Sequence, residues 1–344
     1  MLQRIFHLAR ALIVVVFFSG GESVAQDAGA DAYYRGKTAR IYVGYGVGGG
    51  YDLYARMIAP HLAAELGATV IVENLPGAGG LTALNKLYGA EPDGLTMMIV
   101  NGAAAGLSQI IEQEAVRYDL TRVSHLGTLS QSPWVWIARP GMAEQTVDNF
   151  ISAQPLIRWG GTGTIDGSSD GSAVICEALQ LRCKIIKAYK GSSEIALALA
   201  RGEMDALYIT DLSARAYIEA GQAVAVATLA RTRSRHLPET PTIFEVLTLS
   251  PEQTFWLDFR TTLESLGRIL VAPPKIPADR LTFLQMAVER ALRQPALVAQ
   301  GEKAQRPIDL ATASETLERT QRVISRMTSQ QKAKVKTVVL DKFL

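Results

Sequence analysis

Short apolar runs alternate with helical patterns along the first third of the chain. The runs that read as strands are 41–43, 69–73 and 95–100. Between them, apolar residues recur at helical spacing over Asp52–Leu66 and again up to about Tyr88. Apolar strands that alternate with helices are typical of a parallel sheet covered on both faces. We therefore predict an α/β unit whose ligand would bind beyond the carboxyl ends of the strands.

A second α/β unit is predicted to begin near Pro133. Its elements follow in the order strand 134–138, helix 147–152, strand 156–159, helix 172–181, strand 184–188, helix 193–201, strand 205–209 and strand 224–229. The strands and helices again alternate, as in the first unit. This repetition predicts a second sheet of the same kind.

The remaining chain carries a late strand, 269–272, and helical patterns that include a long one at 312–334. We predict that residues 26–130 and 232–344 form lobe 1 and that residues 131–231 form lobe 2. Each lobe is expected to be a mostly parallel sheet with flanking helices. A cleft should separate the two lobes.

Each unit has a glycine-rich loop between a strand and a helix. The first loop, Gly44–Asp52, contains five glycines, and the second runs from Gly160 to Gly171. Such a loop lets the backbone approach a ligand closely and directs the positive end of the next helix at it. Neither loop contains Arg or Lys. A bound anion is therefore predicted to be held by backbone N–H groups and two helix N-termini, with help from hydroxyl groups.

The predicted ligand-binding residues lie in these loops or at nearby strand ends: Val47, Gly48, Gly49, Gly50, Tyr51, Asn101, Gly161, Thr162, Gly163, Thr164, Ser168 and Asp211. Asp52 is expected to cap the first helix rather than to contact an anion. Lys190 either pairs with a second ligand carboxylate or is a solvated turn residue. Tyr45, Tyr51 and Trp159 favour a ligand with an apolar or aromatic body.

The N-terminal 25 residues have the pattern of a secretory signal peptide. Arg4, His7 and Arg10 precede the apolar run 11–18, and Ser23-Val24-Ala25 offers a cleavage site before Gln26. The apolar run is much shorter than the roughly 20 residues of a membrane-spanning helix. The mature protein is therefore expected to be exported to the periplasm.

Composition excludes several functional classes. The 35 basic and 33 acidic residues nearly balance, and no basic tract suggests nucleic acid. Cys176 and Cys183 are the only cysteines, and no second Cys or His cluster supports a metal site. In an oxidising compartment the two cysteines either form a disulfide or are small buried hydrophobes. No metal and no cofactor is predicted.

Two motifs suggest enzymes instead. Gly44-x-Gly46-x-x-Gly49, with Glu73 further on, fits a dinucleotide fingerprint, but Gly50 follows the third glycine, which should already sit within the start of the helix. Gly167-Ser168-Ser169-Asp170-Gly171 fits the G-x-S-x-G pattern of hydrolases, with Asp205 or Asp211 and then His236 as partners. A nucleophile elbow requires a strand that runs directly into the serine, whereas residues 160–167 intervene here. An anion-binding loop is therefore favoured over both enzymes.

Six short motifs in order resemble one known family. They are Gly48-Gly49-Gly50-x-Asp52 with Arg56, Val72-Glu73-Asn74-x-Pro76-Gly77-Ala78-Gly79-Gly80, Pro92-Asp93-Gly94, Tyr189-Lys190-Gly191, Gly202-Glu203-x-Asp205 and Leu237-Pro238-x-x-Pro241-Thr242. This set is similar to the Bug family, the extracytoplasmic solute receptors of tripartite tricarboxylate-type transporters. The resemblance covers nearly the whole mature chain.

This resemblance implies a two-lobed, type II-like periplasmic binding protein without catalytic activity. Its ligand would be a small organic carboxylate held between the two glycine loops and delivered to the integral membrane subunits of a transporter. A monomer is expected.

The chain departs from the family pattern at three places. Gly46-Val47 replaces a Pro-containing lead-in, and Tyr51 replaces a small hydroxyl residue. The second loop is altered at residues 165–168, and the segment Phe255–Arg268 looks longer than usual. The first two changes fall where the ligand is chosen, so the resemblance does not carry over the identity of the ligand.

Overall fold

A computed structural model describes residues 29–142, 145–189, 191–325 and 327–343. The predictions on the signal peptide and on Lys190 lie outside these residues. The described strands form two five-stranded sheets, in the orders β2-β1-β3-β10-β4 and β7-β6-β8-β5-β9. Their bounds are β1 Thr38–Val43, β2 Thr69–Asn74, β3 Thr96–Asn101, β4 Ser124–Ser130, β5 Trp134–Ala138, β6 Ile157–Gly160, β7 Cys183–Ile186, β8 Ala206–Thr210, β9 Val224–Leu229 and β10 Arg268–Ala272.

Each of these sheets has four strands that run in one direction and one that runs against them, so each is mostly parallel. In the first, β1 pairs in parallel with β2 and β3, whereas β10 is antiparallel to both β3 and β4. In the second, β6 pairs in parallel with β7 and β8, whereas β5 is antiparallel to both β8 and β9. A strand that begins at the edge where the parallel strands end must run in the opposite direction to them. The α/β class and the mostly parallel sheets are confirmed, and each sheet contains one antiparallel strand.

Helices cover both faces of each sheet. Their bounds are α1 Gly50–Leu66, α2 Leu81–Tyr88, α3 Gly102–Ile110, α4 Val147–Ala153, α5 Ser168–Ala178, α6 Ser192–Ala200, α7 Asp211–Glu219, α8 Ile243–Val246, α9 Pro251–Glu264, α10 Ala278–Arg293, α11 Pro295–Lys303, α12 Ala313–Ser325 and α13 Ser329–Thr337, followed by a π-helical turn at Val338–Lys342. In the described part of the chain, none of the helices is both long and apolar enough for a membrane span.

Several predicted helix ends are displaced. Helix α1 begins at Gly50 with Gly49 at its N-cap, so Asp52 lies in the first turn and is not the cap. Helix α5 begins at Ser168 and not at Ser172, because Asp170 in its first turn accepts hydrogen bonds from the loop backbone. The long helix predicted over 312–334 is divided in two, and the Thr328 side chain accepts from the Gln331 N–H to start the second part.

The C-terminal segments connect the two sheets. Helix α9 and the π-helical turn both pack on α5, which belongs to the second sheet. The Ile185 N–H of β7 donates to the Phe343 carbonyl oxygen at 2.8 Å. These segments follow residue 232, and the lobe boundaries stay a prediction. Cys176 of α5 and Cys183 of β7 are joined by a disulfide, which decides between the two alternatives for the cysteines.

Candidate functional site

The edges of the two sheets at which β3 and β8 end face each other. Asn101 ends β3 and pairs with Arg268, the first residue of the antiparallel strand β10. Thr210 ends β8 and pairs with Trp134, the first residue of β5. A cavity of about 40 Å³ lies between these four residues and is also lined by Tyr51. It has room for a few water molecules or for the head group of a small ligand.

A second cavity, of about 370 Å³, is formed by one loop from each sheet. The turn at residues 78–79 and Tyr45 line it from the first sheet, and residues 162–166 line it from the second. A Cβ atom placed on Gly79 would lie 3.6 Å from the Ile165 carbonyl oxygen. The two loops are therefore in contact at this point.

A stacked pair of tyrosines lies between the two cavities. The rings of Tyr45 and Tyr51 are 4.5 Å apart and nearly parallel, and one ring lines each cavity. The Tyr45 hydroxyl donates to the Gly79 carbonyl oxygen at 3.0 Å. Burial raises the pKa of both hydroxyl groups above 10, so both rings stay neutral at physiological pH.

The first glycine loop is held by its own carboxylate. Asp52 is 1% exposed and accepts from the Gly48 N–H at 2.8 Å and from the Asn74 amide at 2.9 Å. Arg56 lies one helical turn further on and pairs with the same carboxylate at 2.9 Å. The Arg56 hydrogen bond, followed by those from Gly48 and Asn74, lowers the pKa of Asp52 to about 2 against the effect of its burial. The Gly48 N–H is consequently not free for a ligand.

The second loop also contains a carboxylate that binds its donors. Asp166 accepts from the Thr162 N–H, the Ser168 hydroxyl and the Ser169 N–H, each at 2.8 Å, and from the Thr162 hydroxyl. These donors surround the start of α5, where an anion was predicted. Asp166 therefore occupies part of the predicted anion position.

Arg268 is a charged residue of the site that the sequence did not reveal. It lies beside Asn101 and Ser130 in the first sheet, and its guanidinium donates to the Ser130 hydroxyl at 3.1 Å. The rings of Tyr51 and Tyr54 lie 5.2 and 5.0 Å from the guanidinium carbon. The only signal was its position, since Arg268 ends the segment 255–268 that departs from the family pattern.

A buried ionic network lies next to the small cavity. Arg260 is fully buried and pairs with both Asp170 and Glu264 at 2.7 Å. Glu264 also accepts from the Tyr208 hydroxyl and lines the small cavity. Burial raises the pKa of Glu264 to about 7, against the opposite effect of Arg260 and of the Tyr208 hydrogen bond. One guanidinium is paired with two carboxylates. Protonation of Glu264 therefore makes the total charge of these three side chains zero.

The predicted ligand-binding residues are distributed over several environments. Tyr51 and Asn101 line the small cavity, and the large cavity is lined by Thr162, Gly163 and Thr164. Residues 47–49 are exposed on the first loop and Gly50 is half-buried, but they are not among the residues that line these two cavities.

The other three predicted residues are buried. Gly161 and Ser168 are buried residues of the second loop. Asp211 accepts from the Ser234 hydroxyl at 2.6 Å and lines a different cavity beside residues 232–236. Which of the twelve residues contact ligand stays a prediction.

Other aromatic and charged residues are placed differently from expectation. Trp159 is fully buried against Trp136 and does not border the cleft, which corrects its proposed role beside the ligand. The candidate nucleophile Ser169 has a buried Oγ atom without a hydrogen bond, and the His236 ring accepts from Arg235 instead. Within the described ranges, no three His, Cys, Asp or Glu side chains are grouped so that they could hold a metal ion.

The chain is similar to known proteins in sequence and in fold. The chain is 25% identical to the protein BugT of Bordetella pertussis over 300 residues, which cover 85% of this chain and 87% of that protein. The fold is similar to that of MatC from Rhodopseudomonas palustris with bound malate, at a TM-score of 0.65 and 21% identity, covering 88% of this chain and 99% of MatC. It is also similar to a second R. palustris protein with adipate, at a TM-score of 0.68 and 18% identity, covering 87% and 97%.

A family profile also matches this chain. The family described as "Tripartite tricarboxylate transporter family receptor" matches residues 54–338, most of the chain. Its members are solute-binding receptors of transporters and not enzymes, so neither the hydrolase nor the dinucleotide alternative is favoured. The predicted resemblance is confirmed. This chain belongs to the tripartite tricarboxylate transporter family of receptors.

Proposed function

We propose that this receptor binds a small organic carboxylate between its two lobes in the periplasm and delivers it to the membrane subunits of a tripartite tricarboxylate-type transporter. The observation that carries the proposal is the pair of cavities between the facing sheet edges, each lined from both sheets. Proteins of the same fold hold malate and adipate. The aromatic walls at Tyr45, Tyr51 and Trp134 suit an apolar or aromatic ligand body.

A thermal-shift screen tests the class of ligand. The purified mature protein is heated with mono-, di- and aromatic carboxylates, and with amino acids and sugars as comparison sets. A ligand at 100 times its Kd stabilises the native state by about 2.7 kcal/mol, which raises the Tm by several degrees. We expect at least one carboxylate to do so. Stabilisation by amino acids or sugars alone would contradict the proposal.

Binding is further proposed to close a hinge between the lobes, because each cavity needs residues from both sheets. Small-angle scattering of the monomer, with and without a ligand found by the screen, should show a smaller radius of gyration in the bound form. Superimposable profiles from an open unliganded protein would contradict hinge closure. Mass spectrometry of the exported protein tests cleavage after Ala25, and light scattering tests the monomeric state.

A further inference from the structure

The two cavities between the sheets differ in the charged residues that line them. Arg268 lines the small cavity, and Asp166 lines the large one. The stacked rings of Tyr45 and Tyr51 lie between them. A ligand in this cleft therefore meets a cation at one end and a carboxylate at the other.

Arg268 lacks a charged partner in the described part of the protein. Its Nε atom is buried without a hydrogen bond, and none of the described acidic side chains forms an ion pair with it. Glu264 lines the same cavity: its Oε1 atom is bound by Arg260 and Tyr208, and its Oε2 atom is buried without a hydrogen bond. The raised pKa of Glu264 favours its protonated form, which can donate to a ligand carboxylate. The Arg268 side chain is half-buried and donates one hydrogen bond to Ser130, and a planar guanidinium without an acidic partner matches a carboxylate in geometry. The small cavity is therefore complementary to one carboxylate group.

The large cavity disfavours a second carboxylate. The Asp166 carboxylate lies in its wall, and the nearby N–H and hydroxyl donors of Thr162, Ser168 and Ser169 are bonded to it. A second anion would meet a like charge there and lose those donors. Gln113, whose side-chain oxygen is buried without a partner, also lines this cavity and can bond a neutral polar group.

We infer that the ligand is a small monocarboxylate, whose carboxylate pairs with Arg268 and whose uncharged body lies on the side of Asp166. This inference rests on the proposed function, since it names which carboxylates the receptor accepts. Arg268 and Asp166 are then its specificity-determining residues. Both belong to segments that depart from the family pattern, so a ligand unlike those of many relatives is expected.

Titration calorimetry with matched pairs of ligands tests the inference. Hexanoate and adipate share a six-carbon chain, and 2-hydroxybutyrate and malate share a four-carbon chain. Within each pair, the second ligand differs from the first only by a second carboxylate in place of a methyl group. We expect the monocarboxylate of at least one pair to bind the wild-type receptor at least tenfold more tightly than its dicarboxylate.

Three variants assign the charges. Arg268→Gln should weaken monocarboxylate binding by about 10- to 100-fold, the usual effect of losing hydrogen bonds from a charged group. Arg268→Lys, which keeps the charge but not the planar fork, should lose less. Asp166→Asn should raise the affinity for a dicarboxylate relative to its monocarboxylate at least tenfold. Arg201→Gln removes an exposed arginine beyond α6 and serves as the control for net charge.

Each outcome separates the inference from the proposed function. If neither the pairs nor the wider screen yields a carboxylate that binds the wild-type receptor, the proposed function fails. If carboxylates bind, but Arg268→Gln keeps its affinity within twofold of Arg201→Gln, Arg268 is not the partner and the inference fails. Tighter wild-type binding of the dicarboxylates also overturns it. Thermal melts of all variants show that a loss of binding is not a loss of folding.

Discussion

The carboxylate of Asp52 should stabilise the first glycine loop measurably. Its pKa falls from 3.8 to about 2 in the folded protein. Because one pKa unit corresponds to about 1.36 kcal/mol, the charged form contributes up to about 2.5 kcal/mol at neutral pH. Arg56 is 49% exposed, so solvent screens part of this energy. Asp52→Asn, which keeps the shape but not the charge, should therefore lower the free energy of unfolding by about 1–2 kcal/mol.

A matched control is available near the beginning of the described chain. Asp31 and Arg35 form another i,i+4 pair at 2.6 Å, but their side chains are 36% and 71% exposed. Asp31→Asn should therefore cost less than about 0.5 kcal/mol. Both variants remove one negative charge and can be compared directly by urea unfolding at pH 7, followed by far-UV circular dichroism.

The pH dependence provides a second measurement. The folded-state pKa of Asp52 is lowered, so its contribution is fully present above about pH 4 and is lost as the pH falls toward 2. The difference between the wild type and Asp52→Asn should shrink over that range. Equal losses for Asp52→Asn and Asp31→Asn at pH 7 would refute the view that a buried carboxylate organises the loop.

Three further predictions concern stability. Gly161→Ala should destabilise the protein by about 1–3 kcal/mol, because its Cβ atom would lie 1.9 Å from the Ser169 Oγ atom, whereas Gly163→Ala should be nearly neutral in urea unfolding. The raised pKa of Glu264 contributes to the stability of the folded protein below about pH 4.5, and this contribution is lost as the pH rises through about 7. Thermal melts from pH 5 to 8 should show a loss of stability of the order of 2 kcal/mol. Glu264→Gln should make the stability less dependent on pH over this range. Reducing the Cys176–Cys183 disulfide should lower the Tm by an amount that corresponds to about 2 kcal/mol, since it closes a short loop, and a Tm unchanged by reductant would contradict this.

The sequence predicted the elements and the mostly parallel sheets, but not the antiparallel strand in each sheet. Strand β1, the glycine loop and helix α1 follow from local signals, namely an apolar run, a glycine cluster and helical spacing. The antiparallel direction of β10 depends on where α9 ends in the fold, and tertiary packing sets that position. Local residue patterns do not show between which two strands a distant segment will insert. The α/β class and the mostly parallel sheets were therefore predictable, whereas the one antiparallel strand of each sheet was not.

The facing edges were predictable from the sequence, but their side-chain contacts were not. The rule that ligands bind beyond the carboxyl ends of parallel strands indicates the two edges that line the cavities, and binding there stays a prediction. It could not reveal that Asp52 and Asp166 bind donors of their own loops, since that depends on side-chain directions within each turn. Nor could it find Arg268, which reaches the cleft only because β10 runs antiparallel beside Asn101.

These two facts together explain how one scaffold could hold different ligands. A loop whose carboxylate already binds its own N–H groups is ordered before the ligand arrives, so binding loses less conformational entropy. The same bonds leave fewer backbone donors for the ligand. Recognition of charge must then come from side chains outside the loops, and Arg268 is placed to supply it from a neighbouring strand. Pre-ordered loops set the shape of the cleft, and residues delivered by other segments set its chemistry.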